Sequence, residues 1–555
     1  MLSFFGEQGM YRKTDPQLSL FDIDNMYPDI LPPQDWCRIY RKQIYPLIDE
    51  DKFRDFYSEE KVGRPNKSIK TTISILIFMG IEKLTWREAE YQFLRRIDWL
   101  IAINTPLDKA QEALVDHTTL FKFYCRLDKD EKAKTLFQEL TLKFADACGT
   151  SLKKQRTDSF FIHGWLQILS RYGLFKETVR VFLQNLRKQK PGLCEGVVKE
   201  LSKDYLVNDF DLTEKDREKA QRQIKVMAKD MYLLYETFIN HNQVKHYESF
   251  KTLVKVFDQQ CETAEGTDGG KMEIVIREKP NGEEIISTPH NTDARYVRKG
   301  KQKVCGQKGF ITESCEESNK TQFITDVEAT PSTTADSKEL PQIQKRLEES
   351  DMKPDEQYAD AGFVNGQTIL DSQTNEILLE GPSSGRSQSF EAYNAEERPL
   401  DVADFKVEIE EDKETLTVIF CPARQEPIDQ TRSTKTGNMI VHFVAAVCSA
   451  CQLKERCPVK IGVKAATLTL DERSYAGAAR HHKYMEDPGY RKKCSIRAGA
   501  EAMVSELVRG HGVRKSRHRN EVRTRLQLIF SAIACNVKRY IRHGQEYGYV
   551  MAADT

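Results

Sequence analysis

The chain has 555 residues, with 84 Lys plus Arg balanced by 84 Asp plus Glu. This excludes a uniformly basic protein, and an apolar content of 39% argues against wholesale disorder. The length suggests about three or four domains. The first residues, Met1 to Glu7, lack a basic start followed by an apolar core, so no secretory signal is read. The longest apolar-rich runs, such as 73–81, fall far short of the roughly 20 residues that cross a bilayer. Thirteen cysteines in such a chain read as reduced thiols, with any cluster better suited to metal than to disulfides. The expectation is a soluble, cytoplasmic protein without a membrane segment.

In chain order, residues 1–35 carry Pro16, Pro28, Pro32 and Pro33 and read as an extended tail. Helical periodicity fills 36–150, with one buried helix around 73–81 and a second pattern over 84–103. Residues 152–162 read as a strand that sets Asp158, Phe160 and Ile162 on one face. Long helical patterns run from 166 to 260. From 271 the pattern turns to strands: 272–276 and 284–286 flank Pro280-Asn281-Gly282 as a hairpin, and 303–312 and 322–329 follow. A helix is expected over 334–350 and a short strand over 356–360.

The overall neutrality hides segregation of charge. Residues 391–414 hold ten acidic against three basic residues, a balance of −7. Residues 474–543 hold sixteen basic against five acidic, a balance of +11. In that basic stretch Ala500, Met503, Val504, Leu507 and Val508 form an apolar stripe at helical spacing, with Glu501 at its edge.

Asp158 in the first strand, Asp360 at the end of a later one and Glu501 in the late helix form a set suited to phosphodiester cleavage and transfer. Clustered carboxylates suit a hard divalent cation with oxygen ligands. Two such ions can assist the attacking and the leaving oxygen. Spacing alone singles out these three only weakly among 84 acidic residues.

The local sequences are more specific. Thr157-Asp158-Ser159, Tyr358-Ala359-Asp360-Ala361-Gly362-Phe363, Arg497-Ala498-Gly499-Ala500-Glu501 with Arg509-Gly510-His511-Gly512, and Leu526-Gln527 through Ala534-Cys535-Asn536-Val537-Lys538-Arg539 together resemble the DDE transposases of bacterial insertion sequences. The nearest group has an N-terminal helical domain and a long helical segment after the first Asp. The resemblance extends over about 37–543 and includes Asn291-Thr292-Asp293-Ala294-Arg295. It implies an α/β ribonuclease-H-like core, with Asp158, Asp360 and Glu501 as catalytic ligands of two Mg²⁺ (or Mn²⁺) ions. The implied organisation is a tail (1–35), an N-terminal all-α DNA-binding domain (36–150) and a core from 151–164, 271–378 and 474–545. A helical insertion (165–270) and an acidic, cysteine-rich insertion (379–473) interrupt that core. Two positions depart from the related pattern: Cys494 stands where a Tyr is common, and Val508 where a Lys is common, with Arg509 beside it.

Cys448-x₂-Cys451-x₅-Cys457 with Cys421 upstream fits a tetrahedral Zn²⁺ site, the alternative being four reduced thiols; similar cysteines occur in the resembled group. Arg497, Arg509, Arg514, Lys515, Arg517 and Arg519 are the candidate DNA contacts, against the reading of a merely solvated basic face. Arg64, Lys67, Lys70, Arg87, Arg95 and Arg96 are candidates for terminal-repeat recognition, or plain packing helices. Gln17-Leu18-Ser19-Leu20-Phe21 resembles the short peptide with which bacterial replication proteins dock on the sliding clamp, against packing on its own protein.

The resemblance implies a transposase that cuts and joins double-stranded DNA, the inverted repeats of its element and a target, as a homo-oligomer on DNA at the bacterial nucleoid. The alternatives are a catalytically inactive DNA-binding regulator, or a nuclease of the same fold without strand transfer.

Overall fold

Ser68 opens the first long helix by accepting a hydrogen bond from the Thr71 N–H, and the helix ends where Lys83 turns left-handed at φ 60°. This helix, α1 (Ile69–Glu82), is apolar almost all round and buried along most of its length, as expected of a helix at the centre of a core rather than on its surface. A computed structural model describes residues 11–14, 19, 21–58, 65–164, 169–207, 214, 216–265, 272–282, 284–299, 302–385, 389–409 and 416–549. Gln17, Leu18 and Leu20 of the tail motif, and Arg64, lie outside them. Among the described residues no helix is long and apolar enough to cross a membrane.

The central sheet is built from β1 (Lys154–His163), β2 (Arg295–Lys299), β3 (Gln302–Ser314), β4 (Ile324–Pro331), β5 (Glu356–Tyr358) and β6 (Leu378–Glu380). β3 runs antiparallel to β1 and β4, and its first residues pair with β2. β1, β5 and β6 are parallel neighbours. A mixed sheet with an antiparallel half and a parallel half, covered by helices, is the α/β architecture expected.

The N-terminal helices and this sheet share one hydrophobic core. It joins Phe78, Trp99 and Phe144 to Ile311, Phe323 and Leu507. The hub is α5 (Glu521–Glu546), which packs on α1, on α2 (Lys132–Ala147) and on β4. Asn536 of α5 is buried and reads the backbone of β4 as a strand would. Its Oδ1 accepts from the Ile324 N–H at 2.9 Å and its Nδ2 donates to the Ile324 carbonyl at 2.8 Å. The same Nδ2 reaches Thr141 Oγ1 of α2 at 3.0 Å. One side chain thus pins the sheet, the last helix and the N-terminal helices together.

Between β1 and β2 lie helices Arg171–Gln189, Pro191–Val198, Arg217–Phe238 and Glu248–Gln260. They have a separate core around Phe175, Phe182, Phe238 and Phe250. After β6 come two further small sheets, Lys406–Ile409 with Leu416–Phe420, and a four-stranded sheet within 429–470. They enclose their own apolar cluster.

Two local expectations are corrected. Met272–Ile276 pairs with the preceding Cys261–Glu265, not with 284–286. Asn281, Glu284 and Ile286 are held instead by Gln259, whose carbonyl accepts from the Asn281 N–H and whose side chain bonds Glu284 and Ile286. With backbone groups satisfied by a helix end, the segment needs no strand partner. Arg295–Lys299 is a strand that the charge-rich sequence did not suggest.

Candidate functional site

Register places the first two aspartates. Arg156 of β1 is the Cα partner of Tyr358 of β5 in the parallel pair. Asp158 and Asp360 each lie two residues beyond that couple, on neighbouring chains at the same level. Side chains two residues apart on a strand share a face, and adjacent strands lie about 4.8 Å apart. Asp360 has just left the strand, and its Oδ1 accepts from the Gly362 N–H at 2.8 Å. Asp158 Oδ1 accepts from the Ser159 N–H at 2.7 Å.

Glu501 stands exposed in the first turn of α4 (Gly499–His511). Ala500, Met503, Val504 and Leu507 bury the opposite stripe, and the helix packs on β1 and β3. Burial, and then the charges of Asp360, Asp336 and Glu501, push the Asp158 carboxyl up to about 6, against the lowering effect of the Ser159 N–H. All three carboxylates are therefore close enough to act on Asp158. Among the described residues none of Asp158, Asp360 and Glu501 is in an ion pair. An all-oxygen set with uncompensated negative charge fits a hard divalent cation.

Asp336 was not anticipated. It opens α3 (Asp336–Glu349), where an acidic residue reads as a helix-dipole partner. Its Oδ1 lies 2.6 Å from Lys308 Nζ of β3, off the line for a hydrogen bond. A β-carbon on Gly362 would stand 2.8 Å from Asp336 Oδ2 and 3.1 Å from Asp360 Oδ1. The only sequence signal was its place just after β4 and before the helix that covers the sheet.

The basic connector after α4 is anchored at the far end of β1. The His163 N–H donates to the Arg514 carbonyl at 2.9 Å, and the Ser516 N–H donates to the His163 carbonyl at 2.8 Å. Arg509, Arg514, Lys515, Arg517 and Arg519 are exposed and Arg497 is half-buried. Arg517 is also engaged internally: it donates to the carbonyls of Leu84 at 2.7 Å and Lys83 at 2.9 Å, at the end of α1. Cys494 is buried at the end of Pro488–Cys494, and Val508 packs half-buried on the main core. An apolar residue suits each place.

Cys421, Cys448, Cys451 and Cys457 are free thiols lining one cleft of about 800 Å³ with Phe443 and Val459. Burial, and then the neighbouring Cys421, Cys457 and Cys451, raise the Cys448 thiol. Backbone N–H groups of Gln425 and Leu453 approach the sulfurs of Cys421 and Cys451 at 3.3 and 3.4 Å. Among the described residues, ligand atoms of three acidic, His or Cys groups all fall within 4.8 Å of one another only for Asp401, Asp404 and His482. Neither the aspartate–glutamate set nor the four cysteines are drawn together that tightly. Asp404 is held in that cluster by the Arg398 guanidinium, which makes it an ion-paired helix cap.

Two families match the chain. One, described as a transposase DDE domain, matches residues 420–541; the other, described as a transposase domain, matches 29–126. The first stretch contains the four cysteines and Glu501; the second contains α1. No curated protein and no solved structure matches the chain. With a transposase domain at one end and a transposase DDE domain at the other, the protein is a DDE transposase of an insertion sequence, an enzyme that cleaves DNA and transfers the strand with the help of divalent metal ions.

Proposed function

We propose that Asp158, Asp360 and Glu501 are the ligands of the divalent ions in this transposase, and that the DNA cut is the end of its own element. The observation that carries the reading is the level placement of Asp158 and Asp360 on parallel neighbours, with Asp158 raised by burial and by the surrounding carboxylates. Bound Mg²⁺ or Mn²⁺, two ions, would supply Lewis-acid stabilisation of the attacking and leaving oxygens. The chain's own contribution is positioning. β1 presents Asp158 from a rigid sheet, Asp360 follows β5 at the same level, and α4 presents Glu501. Water is the first nucleophile, and the freed 3′-hydroxyl then attacks target DNA in line. No covalent protein–DNA intermediate is required, so no Tyr or Ser nucleophile is assigned.

Arg514, Lys515 and Arg519, with Arg497 and Arg509, hold DNA phosphates beside the carboxylates, and Arg517 adds charge from its clasped position. The helices before β1 read the terminal inverted repeats. The helical group between β1 and β2 and the small sheets after β6 are insertions into a ribonuclease-H-like core. Cys421, Cys448, Cys451 and Cys457 close on one structural Zn²⁺ within the second insertion. The enzyme works as a homo-oligomer on DNA in the bacterial nucleoid, and Gln17–Phe21 docks on the sliding clamp.

The test uses purified protein, labelled element ends and Mg²⁺. Glu501→Gln and Asp158→Asn are expected to bind the ends but neither nick nor join them. Wild-type nicking by either variant overturns the assignment of that residue.

A further inference from the structure

Arg156 and Asp158 stand two residues apart on β1 and share a face. Arg156 is also the cross-strand partner of Glu313. Its Nε and Nη2 donate to Glu313 Oε1 at 2.9 and 2.5 Å, and its Nη1 donates to the Ile496 carbonyl at 3.1 Å. Ile496 belongs to the turn that leads into α4. The guanidinium occupies the space where a side chain on Gly499, the first residue of α4, would begin.

The contact continues through the protein. Glu313, fully buried, accepts through Oε2 from Arg539 Nη1 of α5 at 2.8 Å. Arg539 in turn donates to Glu506 Oε2 through Nη2 at 2.6 Å and Nε at 3.2 Å. Arg156, Glu313, Arg539 and Glu506 thus form an alternating ladder of charge from β1 through β3 and α5 to α4. It grips α4 at two points, its lead-in turn and Glu506. Glu501 lies between them.

We propose that Arg156 is a positioning residue for strand cleavage: by seating against Ile496 and Gly499 it sets the distance between the strand that carries Asp158 and the helix that carries Glu501. This rests on the proposed roles of those two carboxylates. The demand for arginine is geometric. A planar fork can bond Glu313 with one edge and Ile496 with another, whereas a lysine ammonium on a single stem can keep the charge pair but not both directions. The demand for glycine at 499 is the close approach of that fork.

The experiment compares full-length Arg156→Lys, Gly499→Ala, Arg156→Ala and the double variant Arg156→Ala/Gly499→Ala, with Glu501→Gln as reference. End-DNA affinity, nicking rate at saturating DNA, the Mn²⁺ concentration for half-maximal nicking and the thermal midpoint are measured. Arg156→Lys and Gly499→Ala should keep DNA affinity, slow nicking at saturating DNA by about 100-fold, as misplacement by about 1 Å does, and need more Mn²⁺. The double variant should be no worse than Arg156→Ala, because the new methyl enters the space the guanidinium has left. Wild-type rate and Mn²⁺ dependence in Arg156→Lys and Gly499→Ala overturn the proposal. A rate loss that merely follows lost DNA affinity or a lowered midpoint also overturns it. Should Arg156→Lys fail to fold, Glu506→Gln, at the more exposed end of the ladder, must shift the Mn²⁺ requirement, and no shift is equally fatal. Wild-type nicking by Glu501→Gln sinks the underlying site. An inert Glu501→Gln beside unaffected Arg156→Lys and Gly499→Ala sinks only the positioning role.

Discussion

Asp336 and Asp360 turn their carboxylates toward one point, the place where a side chain on Gly362 would start, 2.8 Å from the first and 3.1 Å from the second. Gly362→Ala must therefore displace one of them. The expected result is a loss of nicking of roughly 10–100-fold, in the range that active-site misplacement produces, with weaker Mn²⁺ binding by calorimetry. Asp336→Asn should have the smaller effect, since it keeps shape and removes one charge. Wild-type Mn²⁺ affinity in Gly362→Ala would mean that the carboxylates yield without consequence.

The raised carboxyl of Asp158 makes stability depend on pH. Its folded value is about 6, above the ordinary aspartate value of 3.8, so the unfolded chain releases this proton first. The penalty is absent below about pH 4, grows as pH rises and is complete above about pH 6, where it reaches at most about 3 kcal/mol. In EDTA, Asp158→Asn should raise the thermal midpoint at pH 8 and leave it unchanged at pH 4. Mg²⁺ should raise the midpoint of the wild type at pH 8 more than that of Asp158→Asn. Equal shifts in both proteins at both pH values would contradict this account.

His518 has the opposite dependence. Burial against Tyr124, then Arg523 and Arg517, push its imidazole down to about 4. A group neutral in the fold and charged in the unfolded chain contributes full stability above its unfolded value near 6.5. That stability is lost as pH falls through 6.5 toward 4, by about 3 kcal/mol. Urea midpoints of wild type and His518→Phe should converge as pH drops from 7 to 5. Parallel lines would remove His518 from the acid response.

The basic connector separates into two kinds of arginine. Arg519→Ala should weaken DNA binding evenly across sequences and reduce the slope of log affinity against log salt by about 1. Arg517→Ala should lower the thermal midpoint as well, because its guanidinium satisfies the Lys83 and Leu84 carbonyls at the end of α1. Midpoints that fall equally in both would show no such division.

The cysteine cleft predicts about one Zn²⁺ per chain, measured by metal analysis of protein purified without chelator. Cys451→Ser should release it and destabilise the protein, whereas Cys125→Ser, away from the cleft, should not.

What the sequence disclosed follows the length and local chemistry of each signal. The strand around Asp158 and the helix around Glu501 were legible because alternation and an apolar stripe are local patterns, whereas the strand expected over 356–360 stops at Tyr358 and leaves Asp360 just beyond it. The hairpin was misassigned because its pairing depends on Gln259, more than twenty residues before the supposed turn. Arg295–Lys299 was missed because a strand beside β3 needs no apolar alternation when three of its five residues are charged. Asp336 and Arg156 were invisible for a further reason. Each looks like an ordinary cap or surface charge until the register of β1 with β3 and β5 brings its neighbours from more than twenty, or more than 150, positions away. The Asn536 contact was present as a familiar string of letters, but its geometry belongs to the fold.

That single amide also bears on how the molecule can be divided. Because Asn536 ties Ile324 to Thr141, and α1 lies against α5, the N-terminal helices and the central sheet are halves of one solid, not beads on a string. Excising the first 150 residues would lay bare the greasy flank of the last helix. Such a fragment should precipitate rather than survive as a miniature nuclease, so the two parts are inherited, folded and lost together.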